Sequence, residues 1–401
     1  MNNTIKVIIL AIIVYISSAG ISYALFAQQS TSVGTSNKQQ MGQEKKQNDY
    51  QAVDFDEAKP KTEECPLNGV LYSKDQKKWW EGHRPLGVMI ENHVEARPQA
   101  GLFAADAIYE AVAEGGITRF LAMYYCQDAG IVGPVRSART HFIAFLSEYG
   151  ANPLYAHVGG AHCDRQTGSG CANGAKADAL GQIQKYNWGG YNDLDQFGLS
   201  APTFVRDDTR LGRDVATEHT VYATTTRLWE AAKKRGLTDV DEDGDKWDEQ
   251  LVTYKFKDEA KPAERAQSQE VQVGFWKGYN DFNVNWQYSP KENLYLRNHG
   301  NEPHKDRNTN MQQAAKNIVI LYMVESKAND GYDNNLHLIY KTTGSGKAIV
   351  FQNGQRIDGT WSKDDRTDRL KLIGQNGKTI DFVRGIIWFQ ILPMDGVVEV
   401  K

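Results

Sequence analysis

The chain begins with an uncharged apolar run, residues 7–27, that follows the positive side chain of Lys6. About 20 apolar residues are enough to cross a bilayer as a helix. Because Lys6 precedes the run, the positive-inside rule predicts a cytoplasmic N-terminus and an extracytoplasmic remainder. A cleaved signal peptide is the alternative, since Ala24 and Ala27 are small enough for signal peptidase. We favour a single-pass membrane anchor in residues 1–27.

The segment that follows, residues 28–64, is polar and rich in Gln, Ser, Asn and Lys. Such a composition cannot bury enough apolar surface to offset the entropy that is lost on ordering. We therefore predict a disordered tether between the membrane and the folded part of the chain.

Apolar runs alternate with helical patterns in residues 65–235, and this alternation predicts an α/β-type domain. Its predicted strands are 86–90, 107–113, 118–126 and 154–158, and its predicted helices are 142–149, 175–186 and 224–234. Residues 251–401 show many short strand patterns instead, which predict a mainly-β domain. Its predicted strands are 271–276, 282–288, 294–297, 318–324, 336–341, 348–352, 370–373, 380–383 and 386–392. With an acidic linker at 236–250, the predicted fold class is α+β.

The charge balance excludes one class of partner. The 401 residues carry 46 Lys and Arg against 50 Asp and Glu, a formal charge of −4. A general nucleic-acid binder needs a basic excess to contact the phosphates. We therefore expect no nucleic acid among the partners of this protein.

The linker contains a run of alternating aspartates that is typical of a calcium loop. Asp239, Asp241, Asp243 and Asp245 stand at loop positions 1, 3, 5 and 7, and Gly244 stands at position 6, where a tight turn is needed. Position 12 is a glutamine instead of the usual glutamate. The sequence therefore predicts Ca²⁺ as the one candidate cofactor, and a solvated acidic loop is the alternative.

The four cysteines all follow the tether, and an extracytoplasmic location permits disulfides between them. The short spacing between Cys163 and Cys171 leaves Cys65 and Cys126 as the second pair, which is one of three possible connectivities. A nucleophilic Cys171 is the alternative, since it follows a Ser-Gly pair downstream of His157.

Three glutamates are candidates for acid–base chemistry. Glu110 and Glu114 lie four residues apart in a predicted strand, so they share one face about 13 Å apart at ~3.3 Å per residue. This separation exceeds the ~5–9.5 Å between the paired carboxylates of glycoside hydrolases. Glu91, at the end of the neighbouring strand, can pair with either of them. A general acid from this set is the enzyme hypothesis.

Three arginines are candidates for anion binding. Arg119, Arg136 and Arg139 carry planar guanidinium groups that suit carboxylates or phosphates. The segment 133–139 leads directly into a predicted helix, whose N-terminal amides favour an anion. Ser137 lies in the same segment, where it can contribute to binding or cap the helix.

A structural role is the alternative for these arginines. They can instead neutralise Glu110 and Glu114 in an internal ion-pair network. Residue types alone do not separate the two roles, so both stay open.

One histidine is followed by glycines that permit close approach of a ligand. His157 ends a predicted strand, and Gly159 and Gly160 come after it. A satisfied core histidine is the more common outcome for such a position. The same alternative applies to His93 and His219.

Several long motifs resemble one bacterial family. These are RPLGVMIENH at 84–93, ARPQAGL at 96–102, YEAVAEGGITRF at 109–120, GPVRSAR at 133–139, HVGG at 157–160, EHTVY at 218–222 and NGQRIDGTW at 353–361. They closely resemble the YerB-like family, a domain of unknown function, over about residues 80–398. The resemblance implies an envelope-associated protein of two domains, often a lipoprotein, and it brings no established catalytic residue. This chain differs in offering an apolar anchor and no cysteine close to it.

The sequence thus predicts a membrane-tethered, extracytoplasmic protein that binds an anionic component of the cell envelope through Arg119, Arg136 and Arg139. A cell-wall polymer is the expected partner, and another envelope protein is the alternative partner. The alternative function is cleavage of peptidoglycan glycan strands with one of the three glutamates as general acid.

Overall fold

The computed structural model describes residues 52–164, 168, 171–172, 176–331 and 337–401. The predicted anchor and most of the predicted tether therefore lie outside the described residues. Within the described part of the chain, no helix is both long and apolar enough to span a membrane. The first strand occupies Lys61–Glu64, so the end of the predicted tether already belongs to the folded part.

Four short α-helices are found among the described residues. They are α1 Lys74–Trp80, α2 Thr140–Leu146, α3 Ala179–Lys185 and α4 Thr225–Lys233. Three of them begin at a side-chain cap, because Ser73, Asp178 and Thr224 each accept a hydrogen bond from a first-turn amide. Helix α2 has no such cap and is buried along its whole length, so packing rather than capping holds it.

Strands dominate the rest of the described chain. They are β1 Lys61–Glu64, β2 Leu71–Ser73, β3 Leu86–Glu91, β4 Ala107–Glu114, β5 Ile117–Tyr124, β6 Ile131–Val132, β7 Leu154–His157, β8 Asp193–Asp195, β9 Phe204–Arg206, β10 Val221–Thr224, β11 Phe256–Lys257, β12 Glu270–Gly274, β13 Val284–Ser289, β14 Leu294–His299, β15 Glu302–Pro303, β16 Ala314–Ala315, β17 Asn317–Tyr322, β18 Glu325–Lys327, β19 Leu338–Tyr340, β20 Gly344–Gln352, β21 Gln355–Lys363, β22 Lys371–Gly374, β23 Phe382–Val383, β24 Ile387–Leu392 and β25 Val397–Val400. With few helices, a mixed α/β first region and a mostly-β second region, the α+β prediction is confirmed.

A ten-stranded sheet contains strands from both sequence regions, in the order β22-β21-β20-β17-β24-β4-β5-β3-β7-β8. Its halves meet where β24 pairs in parallel with β4, from Ile387 opposite Ala107 to Gln390 opposite Glu110. Every residue of β17 and β24 is buried, which is typical of strands that are covered on both faces. The boundaries predicted for the two domains, 65–235 and 251–401, stay a prediction, because strands from both regions share this sheet.

A second sheet carries the order β15-β14-β13-β12-β25, with β16 beside β14. Along β13 the buried residues alternate with more exposed ones, so one face packs and the other faces solvent. Trp286 on the packed face contacts Trp388 of β24 edge to face, with 5.2 Å between the ring centroids. This contact joins the second sheet to the centre of the first.

The segment 133–139 inserts between the ends of two parallel strands. Strands β3 and β7 pair only from Leu86 to Val88 and then separate. Beyond that point the backbone of Arg136 bridges the two strands. Its amide donates to the Met89 carbonyl of β3 at 2.9 Å, and its carbonyl accepts from the amide of Val158, just after β7, at 3.1 Å. The arginines of this segment are thereby placed at the carboxyl ends of both strands.

Two disulfides join the four cysteines, Cys65 to Cys126 and Cys163 to Cys171. The predicted connectivity is therefore confirmed. The nucleophile hypothesis for Cys171 is wrong in this structure, because its sulfur is bonded to Cys163.

We expect the first bridge to stabilise the fold more than the second. The bridges span sequence separations of 61 and 8 residues. A chain-entropy argument gives about 4 kcal/mol for the longer loop and about 2.5 kcal/mol for the shorter one. Urea unfolding of the full chain in detergent, with either pair replaced by alanines, measures the two losses. An equal or larger loss for the Cys163–Cys171 pair would contradict this expectation.

Candidate functional site

Five charged side chains meet at the ends of three neighbouring strands, and we call this group the arginine cluster. It consists of Glu91, Glu114, Arg119, Arg136 and Arg139. Glu91 ends β3 and lies directly across from Arg119 on β5, while Glu114 ends β4. The inserted segment supplies the other two arginines. The three arginines that the sequence singles out therefore lie together.

The arginines share two carboxylates. Arg119 Nη2 lies 3.1 Å from Glu114 Oε1 and 3.7 Å from Glu91 Oε2. Arg136 Nε donates to Glu91 Oε2 at 2.6 Å, and Arg139 Nη2 donates to Glu114 Oε2. Three cations against two anions leave the arginine cluster with one positive charge in excess.

Both carboxylates of the arginine cluster are held in the ionised form. Burial alone would raise the pKa of Glu91, but the charges of Arg119 and Arg136 lower it below its ordinary value. Arg139 and Arg119 likewise outweigh burial and hold the pKa of Glu114 well below its usual range. A general acid must carry a proton at the working pH, so neither glutamate is suited to that role.

Unpartnered polar groups border the arginine cluster on its buried side. Within the described residues, Nε of Arg119, Nε of Arg139, both ring nitrogens of His141 and the hydroxyl of Tyr155 lack hydrogen-bond partners. Burial, together with the charges of Arg139 and Arg119, lowers the pKa of His141 to about 3. His141 is therefore neutral and adds no charge, and the excess positive charge stays on the guanidinium groups.

Only part of the arginine cluster reaches the surface. The side chains of Arg136 and Glu114 are each 24% exposed, whereas Glu91, Arg119 and Arg139 are buried. Arg136 uses Nε for Glu91 and makes no hydrogen bond through its two terminal nitrogens to any described residue. These two nitrogens are the free edge of the cluster.

Glu110 is not part of the arginine cluster. Its carboxylate accepts two hydrogen bonds of 2.9 Å from Arg297 Nη2, and neither side chain is exposed. Trp388 Nε1 donates to the same carboxylate at 3.2 Å, and Thr118 donates at 3.1 Å. The alternative of an internal ion-pair network therefore holds for Glu114, which pairs with Arg119 and Arg139, and is wrong for Glu110. The carboxylate of Glu110 has no open side for a substrate.

Arg297 was not singled out from the sequence, although it occupies a central place in the structure. Its guanidinium lies over the ring of Trp388 at 4.8 Å and over Phe120 at 5.5 Å. It also donates to His304 Nδ1 at 2.6 Å. Because Arg297 belongs to β14 and Glu110 to β4, the pair connects the two sheets.

A hollow of about 510 Å³ lies beside this pair. Its lining includes Arg97, His299 and His304, and none of them was predicted as a site residue. Burial and the charge of Arg297 lower the pKa of Arg97 to about 10, while Arg97 has no carboxylate within 4.0 Å among the described residues. Arg97 is instead held by Asn92, to which its Nε donates at 3.2 Å, so the hollow is a second place where a cation lacks a carboxylate among the described residues.

The predicted residues around His157 have structural partners. His157 Nε2 bonds Asp193 Oδ1 at 2.6 Å, and Nδ1 bonds the Gly159 carbonyl at 2.8 Å. Gly159 adopts φ 53°, a conformation that favours glycine, and its amide donates to Asp195 at 2.8 Å. His157 therefore matches the alternative of a satisfied core histidine.

Gly160 and Ser137, both predicted to bind a ligand, have packing and backbone contacts in the structure. Gly160 packs tightly, since a Cβ there would meet Leu180 at 3.0 Å and Ala138 at 3.1 Å. Ser137 does not cap α2, because the cap position is Arg139; its carbonyl instead accepts from Arg119 Nη1 at 3.1 Å.

The aspartates of the acidic loop do not converge on a common point. In the described part of the chain, the groups of three potential ligands within 4.8 Å of one another do not include Asp239, Asp241, Asp243 or Asp245. Asp241 Oδ1 instead accepts from the amides of Asp243 and Asp245 at 3.1 and 3.0 Å. The calcium loop stays a prediction, and this geometry adds nothing to it.

Comparisons with known proteins assign the family. The N-terminal domain of a family described as "Protein of unknown function (DUF3048)" matches residues 69–238, and its C-terminal domain matches 271–389. The chain is 30% identical over 333 residues to "Putative lipoprotein YerB" of Bacillus subtilis (strain 168), covering 82% of this chain and 86% of that protein. The chain therefore belongs to the DUF3048 family, and the YerB-like resemblance is confirmed.

A solved structure supports the fold. The crystal structure of the YerB protein from Bacillus subtilis matches with a TM-score of 0.64 and 24% identity, covering 85% of this chain and 100% of that one. At this level of identity the likeness concerns the fold.

We predict strong coupling between Glu110 and Arg297. Glu110→Gln or Arg297→Met alone should lower the free energy of unfolding by about 3–5 kcal/mol, because one charge stays buried without its partner. The double variant should lose clearly less than the sum of the two. A double-mutant cycle on urea unfolding measures the coupling, and additive losses would contradict it.

The stability of the protein should also depend on His157. Burial alone would lower its pKa, but the bonds to Asp193 and the charge of Asp195 raise it above the ordinary value. The stabilisation is therefore complete below pH ~6.5 and is lost as the pH rises through the folded-state pKa. The free energy of unfolding, measured from pH 6 to pH 9, should fall less steeply in His157→Gln than in the parent. Parallel curves for the two proteins would contradict this role.

Proposed function

We propose that this protein is attached to the membrane, faces the extracytoplasmic side and binds an anionic polymer of the cell envelope at the arginine cluster. The attachment is supported by the apolar run at 7–27 and by the relative that is described as a lipoprotein. The location is supported by two disulfides, which persist in oxidising compartments. The first cysteine of the chain is Cys65, so the apolar run is the proposed means of attachment.

The free edge of Arg136 carries the binding proposal. Its two terminal nitrogens form a planar fork that matches a carboxylate or a phosphate in a bidentate manner. Glu91 holds Arg136 through Nε at 2.6 Å, so the guanidinium fork is oriented before any ligand arrives. An anion there would compensate the excess positive charge of the arginine cluster.

Glycan cleavage has less support than binding. Glu91 and Glu114 have lowered pKa values, and Glu110 is enclosed by Arg297, Trp388 and Thr118. A raised pKa and an open approach are what a glycosidase acid requires. We therefore base the proposal on binding alone.

We predict that Arg136→Ala weakens retention on purified bacterial cell walls by roughly tenfold, since a charge-assisted bidentate contact is worth about 1.5–3 kcal/mol. The full chain in detergent is sedimented with intact walls and with walls from which phosphate polymers have been removed chemically. Loss of binding to the treated walls would identify phosphate as the recognised group, whereas retained binding would identify the peptidoglycan carboxylates.

Arg356→Ala is the matched control, because Arg356 is an exposed arginine in a surface pair with Asp358. It should bind walls as the parent does. The proposal fails if Arg136→Ala is retained equally well, or if both variants lose binding to the same extent.

A further inference from the structure

We propose that His93, Glu95 and His219 form a binding site for a zinc-like divalent transition metal. One ligand atom from each of the three side chains lies within 4.8 Å of the other two. Two imidazoles and a carboxylate are the donor set that zinc and its neighbours in the first transition row prefer. The site borders the arginine cluster, since the His93 amide donates to Glu91 Oε1 at 3.1 Å. Its donor chemistry differs from that of the cluster, and zinc binding is measured separately from wall binding.

Two short 3₁₀ turns bring the three residues together. His93 caps the turn Val94–Ala96, which contains Glu95, and His219 ends the turn Thr217–His219. Arg213 links the two parts of the chain, since its Nη2 donates to the carbonyls of Glu95 and Arg97 at 2.7 and 3.1 Å. These two bonds connect the segment before the second turn to the turn that carries Glu95. The positive charge of Arg213 nevertheless opposes a cation nearby.

The side chains are close to ligand geometry without an ion. His219 Nε2 lies 3.8 Å from Glu95 Oε2, and the two imidazole rings are stacked with centroids 5.0 Å apart. Ligands at about 2.1 Å from a tetrahedral zinc ion are roughly 3.4 Å apart. Stacked rings cannot both point at one ion, so His93 must rotate. It has room to do so because it is only half-buried, although the rotation breaks the 3.3 Å bond that Nδ1 accepts from the Glu95 amide.

The surroundings of His219 bear on how tightly the site would hold a metal. Its ring is buried, with 5% of the residue exposed, and Nδ1 has no hydrogen-bond partner among the described residues. Buried imidazoles are normally satisfied by hydrogen bonds. A metal at Nε2, which faces Glu95 Oε2 at 3.8 Å, gives the ring one partner and leaves Nδ1 unpartnered. Because no acceptor orients its other nitrogen, we expect micromolar affinity instead of the tighter binding of a fully supported site.

The other set of potential ligands in the described part of the chain carries no site. It consists of Cys65, Asp106 and Cys126, and the two cysteines are joined to each other in a disulfide. Their sulfurs are therefore not available as thiolates for a metal.

Titration of the EDTA-treated full chain in detergent with ZnCl₂ tests the proposal. We expect one micromolar binding event per chain, and Co²⁺ as a second probe should give visible ligand-field absorption. His93→Ala and Glu95→Gln, both at accessible positions, should each weaken zinc binding at least tenfold. His219→Ala should do the same, and its thermal unfolding shows whether the variant is folded.

His162→Ala is the control, since His162 is an exposed histidine paired with Asp178. It should bind zinc as the parent does. The proposal is overturned if the parent binds no zinc, if neither His93→Ala nor Glu95→Gln weakens binding, or if His162→Ala weakens it equally.

Discussion

An excess of one guanidinium over the available carboxylates is the constraint on which this account depends. Arg119, Arg136 and Arg139 converge on Glu91 and Glu114 at the ends of three strands. Removing charge from water costs free energy unless it is compensated, and two carboxylates cannot compensate three cations. Arg136 is the one arginine of the cluster that still reaches solvent. That arrangement favours an anion as the missing partner.

Similar residue types serve stability elsewhere in the same molecule. Glu110 and Arg297 form a buried pair with matched charge, and aromatic rings and hydrogen bonds surround both groups. The carboxylate of Glu110 is fully enclosed by these groups, and its charge is balanced by Arg297. The terminal nitrogens of Arg136 bond no residue in the described ranges, and this contrast separates a structural ion pair from a candidate site. Charge balance and access distinguish the two, whereas residue identity does not.

Local patterns in the sequence were sufficient for the fold class, and they gave the disulfide pairs as one of three connectivities and the three arginines as candidates for one site. Arg136 and Arg139 lie three residues apart, and Cys163 is near Cys171. Such a short separation in the sequence predicts that the members of each pair are neighbours in the structure. The partner of Glu110 could not be predicted, because Arg297 is 187 residues away and depends on how two sheets pack. The pairing of β24 with β4 was likewise not predictable, since hydrophobic runs show burial without naming the neighbouring strand.

Hydrogen–deuterium exchange of the full chain in detergent, with and without a soluble anionic wall polymer, tests the central claim most directly. The account predicts protection of the amides in 133–139 and in the neighbouring strand ends at Glu91 and Glu114, and no such protection with a neutral glycan. Protection confined to other regions, such as the outer face of the second sheet, would contradict the claim that the arginine cluster holds the ligand.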